Sequence, residues 1–357
     1  MEICNACRYC EGFCAVFPAM TLRRDFLLAD LDHLANLCHN CRGCYFSCQY
    51  APPHPFGVNV PRVFAELRTE SYARYAWPQW LAALYQRNGT VLSLATLAGI
   101  ALVLLLTVSL AGSRTIFEAR NGPGSFYAVI SHEVLVSVAG VSLGFSLLAL
   151  AAGAVRFWRG TGGGSVLRLH PLGVALRDVM TLRNLGGGGG GCNDVDEHYS
   201  SSRRRFHHAM FYGFLLCFAA TSVATVYDRL LGRVAPYRFL DIPVQLGFWG
   251  GLGLLVGTIG TAWLKIVADP GPAAPRLRGA EFSLLALLLL ISATGLMLLA
   301  MRATAAMGIL LAVHLGAVLT FFLFAPYSKM VHGLYRALAL LRNAIEQQRE
   351  GTMGDLR

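Results

Sequence analysis

Charged residues are scarce in this chain. Only 14% of its 357 residues are Asp, Glu, Lys or Arg, whereas 55% are hydrophobic, and the mean hydropathy is +0.51. This composition excludes an ordinary soluble domain and is typical of a polytopic membrane protein. The formal net charge of +10 does not indicate a nucleic-acid partner, because arginine is spread over loops that flank apolar segments and no nucleic-acid motif occurs.

The chain also lacks the local patterns of substrate chemistry. No nucleophile–base set and no nucleotide-binding fingerprint is visible. The glycine run Gly186–Gly191 has no strand pattern before it and no Gly-Lys-Ser/Thr after it, so it does not predict a phosphate-binding loop. We interpret it as a flexible linker or docking loop within a long cytoplasmic loop, residues 156–206. We therefore expect no substrate catalysis by this chain.

Cysteine is present in one pattern that occurs twice. Three cysteines at two-residue spacing are followed by a fourth, three residues on, which is the ligand run of a bacterial two-cluster ferredoxin whose fourth cysteine ligates the other cluster. Two structural zinc sites are the alternative, although zinc sites more often pair two separated C-x2-C units. Two neighbouring clusters would indicate electron transfer. The pattern predicts two [4Fe–4S] clusters with crossed ligands: Cys4, Cys7, Cys10 and Cys48 for the first, and Cys38, Cys41, Cys44 and Cys14 for the second.

Residues 1–89 are soluble in character and form the predicted cluster domain. The rest of the chain is dominated by apolar segments, each long enough to cross about 30 Å of hydrocarbon. We expect an α-helical integral membrane protein with an N-terminal ferredoxin-like, α-helical two-cluster module, a membrane haem domain over residues 90–335 and a cytoplasmic tail over 336–357. The six predicted spans lie near residues 90–112, 127–155, 207–231, 242–268, 280–301 and 306–326.

Both chain ends are predicted to face the cytoplasm from a bacterial inner membrane, with lipid around the spans. Clustered reduced thiolates fit a reducing compartment, and six crossings place both ends on the same side. The asymmetry of basic residues follows the positive-inside rule. In this orientation the outer loops hold six of the 30 basic residues: Arg114, Arg120, Arg229, Arg233, Arg238 and Arg302.

Five histidines lie at or near membrane depth, where a histidine is expensive to bury and usually functional. His314 and His332 are 18 residues apart, which is five helical turns on one nominal face, although Pro326 interrupts that helix. Such histidines suit axial ligation of b-type haem, and the alternative for each is a hydrogen bond to a neighbouring helix. We predict one or two haems, held by His332 with His208 or His207 on the inner side and by His314 with His132 on the outer side.

Two stretches near the C-terminus resemble the last haem-binding helix of the respiratory nitrate reductase gamma subunit. They are LAVHLG at residues 311–316 and FAPYSKMVH at residues 324–332. The resemblance implies that His208, five residues before Gly213, is a haem ligand. The second ligand of the corresponding helix would fall at Phe218, which cannot bind iron, so an outer haem would need His132 instead.

A resemblance to a second family covers nearly the whole chain, and four runs of residues carry it. They are CNACRYCEGFCAVFPAM, LCHNCRGCYFSCQYAPPHPFGVNVPR, RRRFHHAMFYGFLLCFAATSVATVY and HLGAVLTFFLFAPYSKMVHGLYR. They are similar to the tricarballylate utilization protein B family, also called citrate utilization protein B. This resemblance implies a membrane protein that reoxidises the FAD of a soluble tricarballylate dehydrogenase and passes the electrons to the quinone pool. Family members often carry histidine after VATVY, where this chain has Asp228.

Two other classes of protein stay open at this point. A membrane redox subunit of heterodisulfide-reductase type would act directly on a thiol substrate, but it normally needs a further cysteine-rich site, and only Cys192 and Cys217 remain for one. A transporter is favoured only if haem is absent and the histidines, with Glu133, form a proton pathway.

Overall fold

The structure is a computed structural model that describes residues 1–85, 89–164 and 169–354. Over these ranges it contains α-helices and no β-strand, with one isolated antiparallel bridge between Cys192 and Ser200. Short 3-10 helices occur at Arg183–Gly189, Pro275–Leu277 and Lys329–Val331. The α-helices are α1 Glu2–Cys7, α2 Val16–Thr21, α3 Leu28–Leu37, α4 Gly43–Phe46, α5 Val60–Tyr75, α6 Gln79–Tyr85, α7 Thr90–Ala111, α8 Ser113–Phe117, α9 Ser125–Val129, α10 His132–Gly160, α11 Leu169–Thr181, α12 Ser202–Leu231, α13 Ile242–Val267, α14 Arg278–Met301, α15 Met307–Phe324 and α16 His332–Gly354.

Six helices of the described ranges are long and apolar enough to cross a membrane, namely α7, α10, α12, α13, α14 and α15. The prediction of an α-helical membrane protein with six spans is thus confirmed. Leu97 and Leu147 are 65% and 56% exposed, as expected of side chains that face lipid. The second span begins at His132 rather than near residue 127. The short helix α9 ends before it, and the backbone is extended at Ile130.

Small residues allow the membrane helices to approach closely. A Cβ atom on Gly213 of α12 would lie 2.4 Å from the Leu254 nitrogen of α13, and one on Gly316 of α15 would lie 2.6 Å from the Ile100 Cα of α7. In hydrocarbon, helices associate mainly through such close packing, because the lipid tails are as apolar as the side chains. These glycines therefore hold α12 against α13 and α15 against α7.

The N-terminal helices and the C-terminal helix share one hydrophobic core. Phe17 of α2, Leu34 of α3 and Phe64 of α5 are buried together with Tyr335 and Leu340 of α16. Burial of a large apolar side chain contributes about 1.5–3 kcal/mol, so this shared core fixes the position of α16. Residues 336–357 were expected to be a separate tail, but the described part of this segment belongs to the N-terminal module.

Buried polar contacts strengthen this module. Arg23 binds Asp30 at 2.8 Å and Glu346 of α16 at 3.0 Å. Asp32 is fully buried and accepts hydrogen bonds from Arg74 and, at 2.8 Å, from the Tyr75 hydroxyl. A buried carboxylate is stable only with such partners, and these partners tie α3 to α5.

The module is attached to one end of the membrane helices. The Arg156 guanidinium, near the end of α10, donates to the Ala76 carbonyl at 2.8 Å. The Tyr327 hydroxyl, in the turn after α15, donates to the Trp77 carbonyl at 3.0 Å. Both acceptors lie in the link between α5 and α6, so the cysteine-bearing module is fixed close to the helix ends that carry His207 and His332.

Candidate metal centres

The first cysteine triplet lies at the N-terminus, together with Cys48. Helix α1 carries Cys4 and Cys7, Cys10 follows in the next turn, and Cys48 follows α4. All four line one cavity of about 280 Å³. Burial, and then the nearby Cys48 thiol, raises the pKa of Cys10 to about 12, and the same two causes contribute to the raised pKa of Cys4. Bound iron would displace these thiol protons, because the thiolate is the metal ligand.

The second triplet lies beside Cys14. Cys14, Cys38, Cys41 and Cys44 line a second, smaller cavity. Burial raises the pKa of Cys14 well above its ordinary value, and the Cys41 and Cys38 thiols add to this increase. Cys44 lines both cavities, so the two sites are neighbours. The fourth cysteine of each run thus lies with the triplet of the other run; ligation of iron by these two sets stays a prediction.

The cysteines of each set surround a space rather than converge on one point. In the part of the chain that the structure describes, no group of three or more His, Cys, Asp or Glu side chains could hold a single metal ion. A zinc ion needs its sulfur ligands at about 2.3 Å from one centre, whereas an iron–sulfur cluster is held at its separate iron corners. The repeated triplet spacing therefore remains the reason to prefer clusters to zinc ions.

Residues 183–200 cover the second cysteine set. The backbone N–H of Asn193 donates to the Cys41 carbonyl at 2.9 Å. The Asn184 side-chain oxygen accepts from the Ala15 amide at 3.3 Å, directly after the fourth cysteine of the first run. These bonds attach one loop to both cysteine runs, so the loop packs beside the second set.

The glycine run is part of this cover. Gly188 has a φ of 80°, which a residue with a side chain rarely adopts, and a Cβ atom there would lie 3.3 Å from the Gly12 carbonyl. Cys192 is fully buried and packs with Cys41. Gly188 is therefore packed against the first cysteine run, which differs from a flexible linker, and a docking role for the loop stays a prediction.

Three arginines, one buried and two half-buried, lie around the second set. Arg68 and Arg336 both donate to the Cys38 carbonyl, at 2.6 and 2.9 Å. Arg203 pairs with the buried carboxylate of Asp194 in the covering loop. An iron–sulfur cluster with four thiolates is an anion, and nearby positive charge and hydrogen bonds raise its reduction potential. The second site is therefore built to hold a buried anionic group.

Two histidines from distant parts of the chain meet next to this module. The imidazole rings of His207, in the first turns of α12, and His332, the first residue of α16, have centroids 6.0 Å apart and an interplanar angle of 62°. The Nδ1 atom of His207 is buried without a hydrogen-bond partner. His332 Nδ1 donates to the Lys329 carbonyl, which leaves its Nε2 as the nitrogen available to a metal.

This pair fits axial ligation of haem iron. Two metal–nitrogen bonds of about 2 Å and two ring radii of about 1 Å place the centroids of a bis-histidine pair about 6 Å apart. Burial, and then the Arg336 charge, lowers the pKa of His332 well below its usual range, so the imidazole is in the neutral form that binds metal. His207 and His332 are thus the residues that would hold an inner haem.

His208 lies on another face of α12. Its ring packs against Tyr212 at a centroid distance of 5.8 Å, and the Tyr212 hydroxyl donates to the Met180 carbonyl of α11 at 2.9 Å. Successive residues of an α-helix point about 100° apart, so His207 and His208 cannot both face His332. The structure favours His207, the alternative that the sequence left open, over the His208 ligand implied by the resemblance.

The two outer histidines make separate contacts. His132 Nε2 is 2.7 Å from an Asp228 carboxylate oxygen, and the Tyr127 hydroxyl donates to the same carboxylate at 3.3 Å. His314 Nδ1 is 3.1 Å from the Thr294 hydroxyl. The structure gives His132 and His314 separate polar partners, a carboxylate on α12 and a hydroxyl on α14, and a haem held between them stays a prediction.

Sequence reasoning missed His39, which has no ligand spacing of its own. His39 is buried, lines the second cysteine cavity, and has its Nδ1 2.7 Å from the Leu37 carbonyl. Burial, and then the Arg336 charge, lowers its pKa well below the usual range. Its position between Cys38 and Cys41 was the one sequence signal that could have placed His39 at the site. No sequence signal could have placed Arg336 there.

Comparison with known proteins identifies the family. The family model described as Citrate utilization protein B matches residues 84–353, and the Citrate utilization protein B Fer4-like domain matches residues 1–74. A Citrate utilization protein B from Escherichia coli is 47% identical over 368 residues, which cover 99% of this chain and 94% of that protein. No solved structure matches the chain. The Fer4-like domain indicates iron–sulfur clusters and suggests a role in electron transfer. This chain belongs to the citrate utilization protein B family.

Proposed function

We propose that this protein is a membrane-bound iron–sulfur and haem b electron-transfer protein. In this proposal it reoxidises the FAD of a soluble dehydrogenase, of the tricarballylate dehydrogenase type, and delivers the electrons to the quinone pool. Two [4Fe–4S] clusters and haem b, when bound, carry single electrons, and the protein sets their spacing and potentials. The family's link to citrate utilization and its Fer4-like domain support a redox role in the oxidation of a tricarboxylic acid.

The observation that carries the proposal is a short route of contacts between the two kinds of site. The Cys38 carbonyl accepts a hydrogen bond from Arg336. Arg336 lies one helical turn after His332, and the His332 ring faces His207. A cluster ligand and the histidine pair are therefore joined through one side chain and one turn of α16. A transporter would not need contacts that join two redox sites.

The different exposure of the two cysteine sets supports a direction of transfer. Tyr9, between two cysteines of the first set, is 68% exposed, so the first set is close to the protein surface. Cys38 and Cys41 of the second set are each 7% exposed and lie under the loop of residues 183–200. We propose that electrons enter at the first set and leave from the second toward the histidine pair.

In the proposed location, the protein lies in a bacterial inner membrane with both chain ends cytoplasmic. The asymmetric arginine distribution supports this orientation. The basic face around the cluster module would attract an acidic flavoprotein, so docking should weaken as salt screens the charges. Membrane lipid surrounds the six spans.

Cofactor content tests the proposal. Anaerobically purified protein should contain about eight iron atoms and eight acid-labile sulfides per chain beyond haem iron, and a pyridine haemochrome assay should detect haem b. Protein with zinc and no labile sulfide would contradict the clusters. Protein with clusters but no haem would contradict this electron path and would leave a transporter, or a redox subunit of the heterodisulfide-reductase type, to be considered.

A further inference from the structure

Arg336 is a half-buried cation whose contacts do not neutralise its charge. Its Nη2 donates to the Cys38 carbonyl at 2.9 Å, while its Nε is buried and has no hydrogen-bond partner. Burial, and then the Arg68 charge, lowers its pKa to about 10, so the guanidinium is still charged near neutral pH. A buried donor without a partner destabilises the fold, which indicates that a further group binds there.

A second arginine of the same helix gives the contrast. Arg342 binds Glu346 at 2.7 Å and Asp30 at 3.5 Å. One of its nitrogens also has no hydrogen-bond partner, but its charge is matched by two carboxylates. Arg336 instead binds a carbonyl. The charged group with the largest effect on its pKa is another arginine, Arg68. A cluster held by Cys38 would offset part of the charge of Arg336, but its Nε–H would still have no partner.

The surroundings of Arg336 indicate what the missing anion is. Arg336 follows His332 by one turn of α16, and its Nη2 binds the Cys38 carbonyl, so the guanidinium lies between the histidine pair and the second cysteine set. His332 and His207 form the pair that would hold haem. Haem carries two carboxylates on its propionate side chains, and a buried carboxylate needs a cationic partner. Arginine can bind a carboxylate through two parallel N–H groups.

We propose that Arg336 binds a propionate carboxylate of the haem through its Nε edge while its Nη2 holds the Cys38 carbonyl. The proposal rests on the proposed function, because it requires haem at the histidine pair. It adds a binding residue for the haem and gives Arg336 a second role, as the side chain that positions the haem edge next to the second cluster. The same guanidinium would then contact a cluster ligand and the haem.

The experiment compares protohaem with its dimethyl ester, which lacks the two carboxylates. The full-length chain, produced in haem-deficient cells and purified in detergent, is titrated with each compound. We expect Arg336→Gln to weaken protohaem binding by about tenfold or more, because a charge-assisted hydrogen bond is lost. The dimethyl ester should bind the variant and the unchanged protein alike. Arg336→Lys, which keeps the charge, should restore part of the protohaem affinity.

The control is Arg342→Gln, which alters the same helix but not the proposed contact. It should change the affinities for protohaem and for the ester by the same factor. Arg336→Gln that weakens both compounds equally, or neither, would overturn the carboxylate contact. Unchanged protein that binds neither compound would instead contradict the proposed function itself. Iron and sulfide content, measured on every variant, reports whether the cluster module is intact.

Discussion

The His207 and His332 rings face each other with centroids 6.0 Å apart, although 124 residues lie between them in the chain. His207 lies at the start of α12, and His332 begins α16, the helix that packs into the cysteine-bearing module. The pair thus stands where the membrane helices meet the module. In the proposed electron path, this position would place a haem at the membrane boundary beside the second cluster.

Substitution of the two adjacent histidines should have opposite results. His207→Ala should remove the low-spin haem signal, because it deletes the imidazole that faces His332. His208→Ala should keep that signal, because its ring packs on Tyr212. The measurement is the optical and EPR spectrum of each purified variant with its haem-to-protein ratio. Loss of haem in His208→Ala alone would show that the pairing is wrong.

The crossed cysteine sets predict which cluster each variant loses. Cys14→Ser should damage the buried cluster next to Cys38 and Cys41, and Cys48→Ser should damage the exposed one at Cys4, because each lies with the triplet of the other run. EPR spectra of the reduced variants should show which signal changes. Cys217→Ser, in a membrane helix, is the control and should keep both signals. Damage by Cys14→Ser to the exposed cluster alone would refute the crossed assignment.

The covering loop predicts a difference between two glycines of one run. Gly188→Ala should make the second cluster more sensitive to oxygen, because a φ of 80° is strained by about 1–2 kcal/mol with a side chain and the new Cβ would press on Gly12. Gly186→Ala is the matched control, since a Cβ atom there meets no other atom within 4 Å. The rate of cluster bleaching in air measures the effect. Equal rates in both variants would contradict a covering role.

Substitution of either outer histidine is predicted to have no effect on a haem held by the inner pair. His132→Ala and His314→Ala should each retain one haem per chain, because these side chains bond to Asp228 and Thr294. Asp228→Asn should lower stability by about 1 kcal/mol or less, as for other partly exposed ion pairs. Haem analysis and thermal denaturation check both expectations. Two haems in the unchanged protein, with one lost in each histidine variant, would restore the outer pair.

Much of the fold could be predicted from the sequence, because apolar runs that are long enough to cross the hydrocarbon form transmembrane helices. The second span was misplaced at its start because α9 is a separate short helix that a hydropathy pattern cannot distinguish from the span. The position of residues 332–354 could not be predicted either. Tyr335 and Leu340 of this helix pack against the N-terminal module, a long-range contact without a local signal.

The candidate site was predicted in part. The doubled cysteine spacing encodes the two sets directly, because local spacing decides which thiols can share a cluster. The choice between His207 and His208 depends on the rotation of α12, which its packing against α13 sets and which adjacent histidines do not reveal. Arg336 and Asn193 act through contacts between distant segments, so only the folded chain brings them to the cysteines.

The central claim is electron transfer from a reduced flavoprotein through this protein to quinone. The most direct measurement mixes fully loaded, purified protein with a substrate-reduced tricarballylate dehydrogenase-type flavoprotein under anaerobic conditions, and then adds a quinone. Absorbance should show the clusters and the haem becoming reduced, at a rate that falls as salt increases, and both should reoxidise when quinone is added. Clusters that stay oxidised in the presence of the reduced flavoprotein would contradict the account.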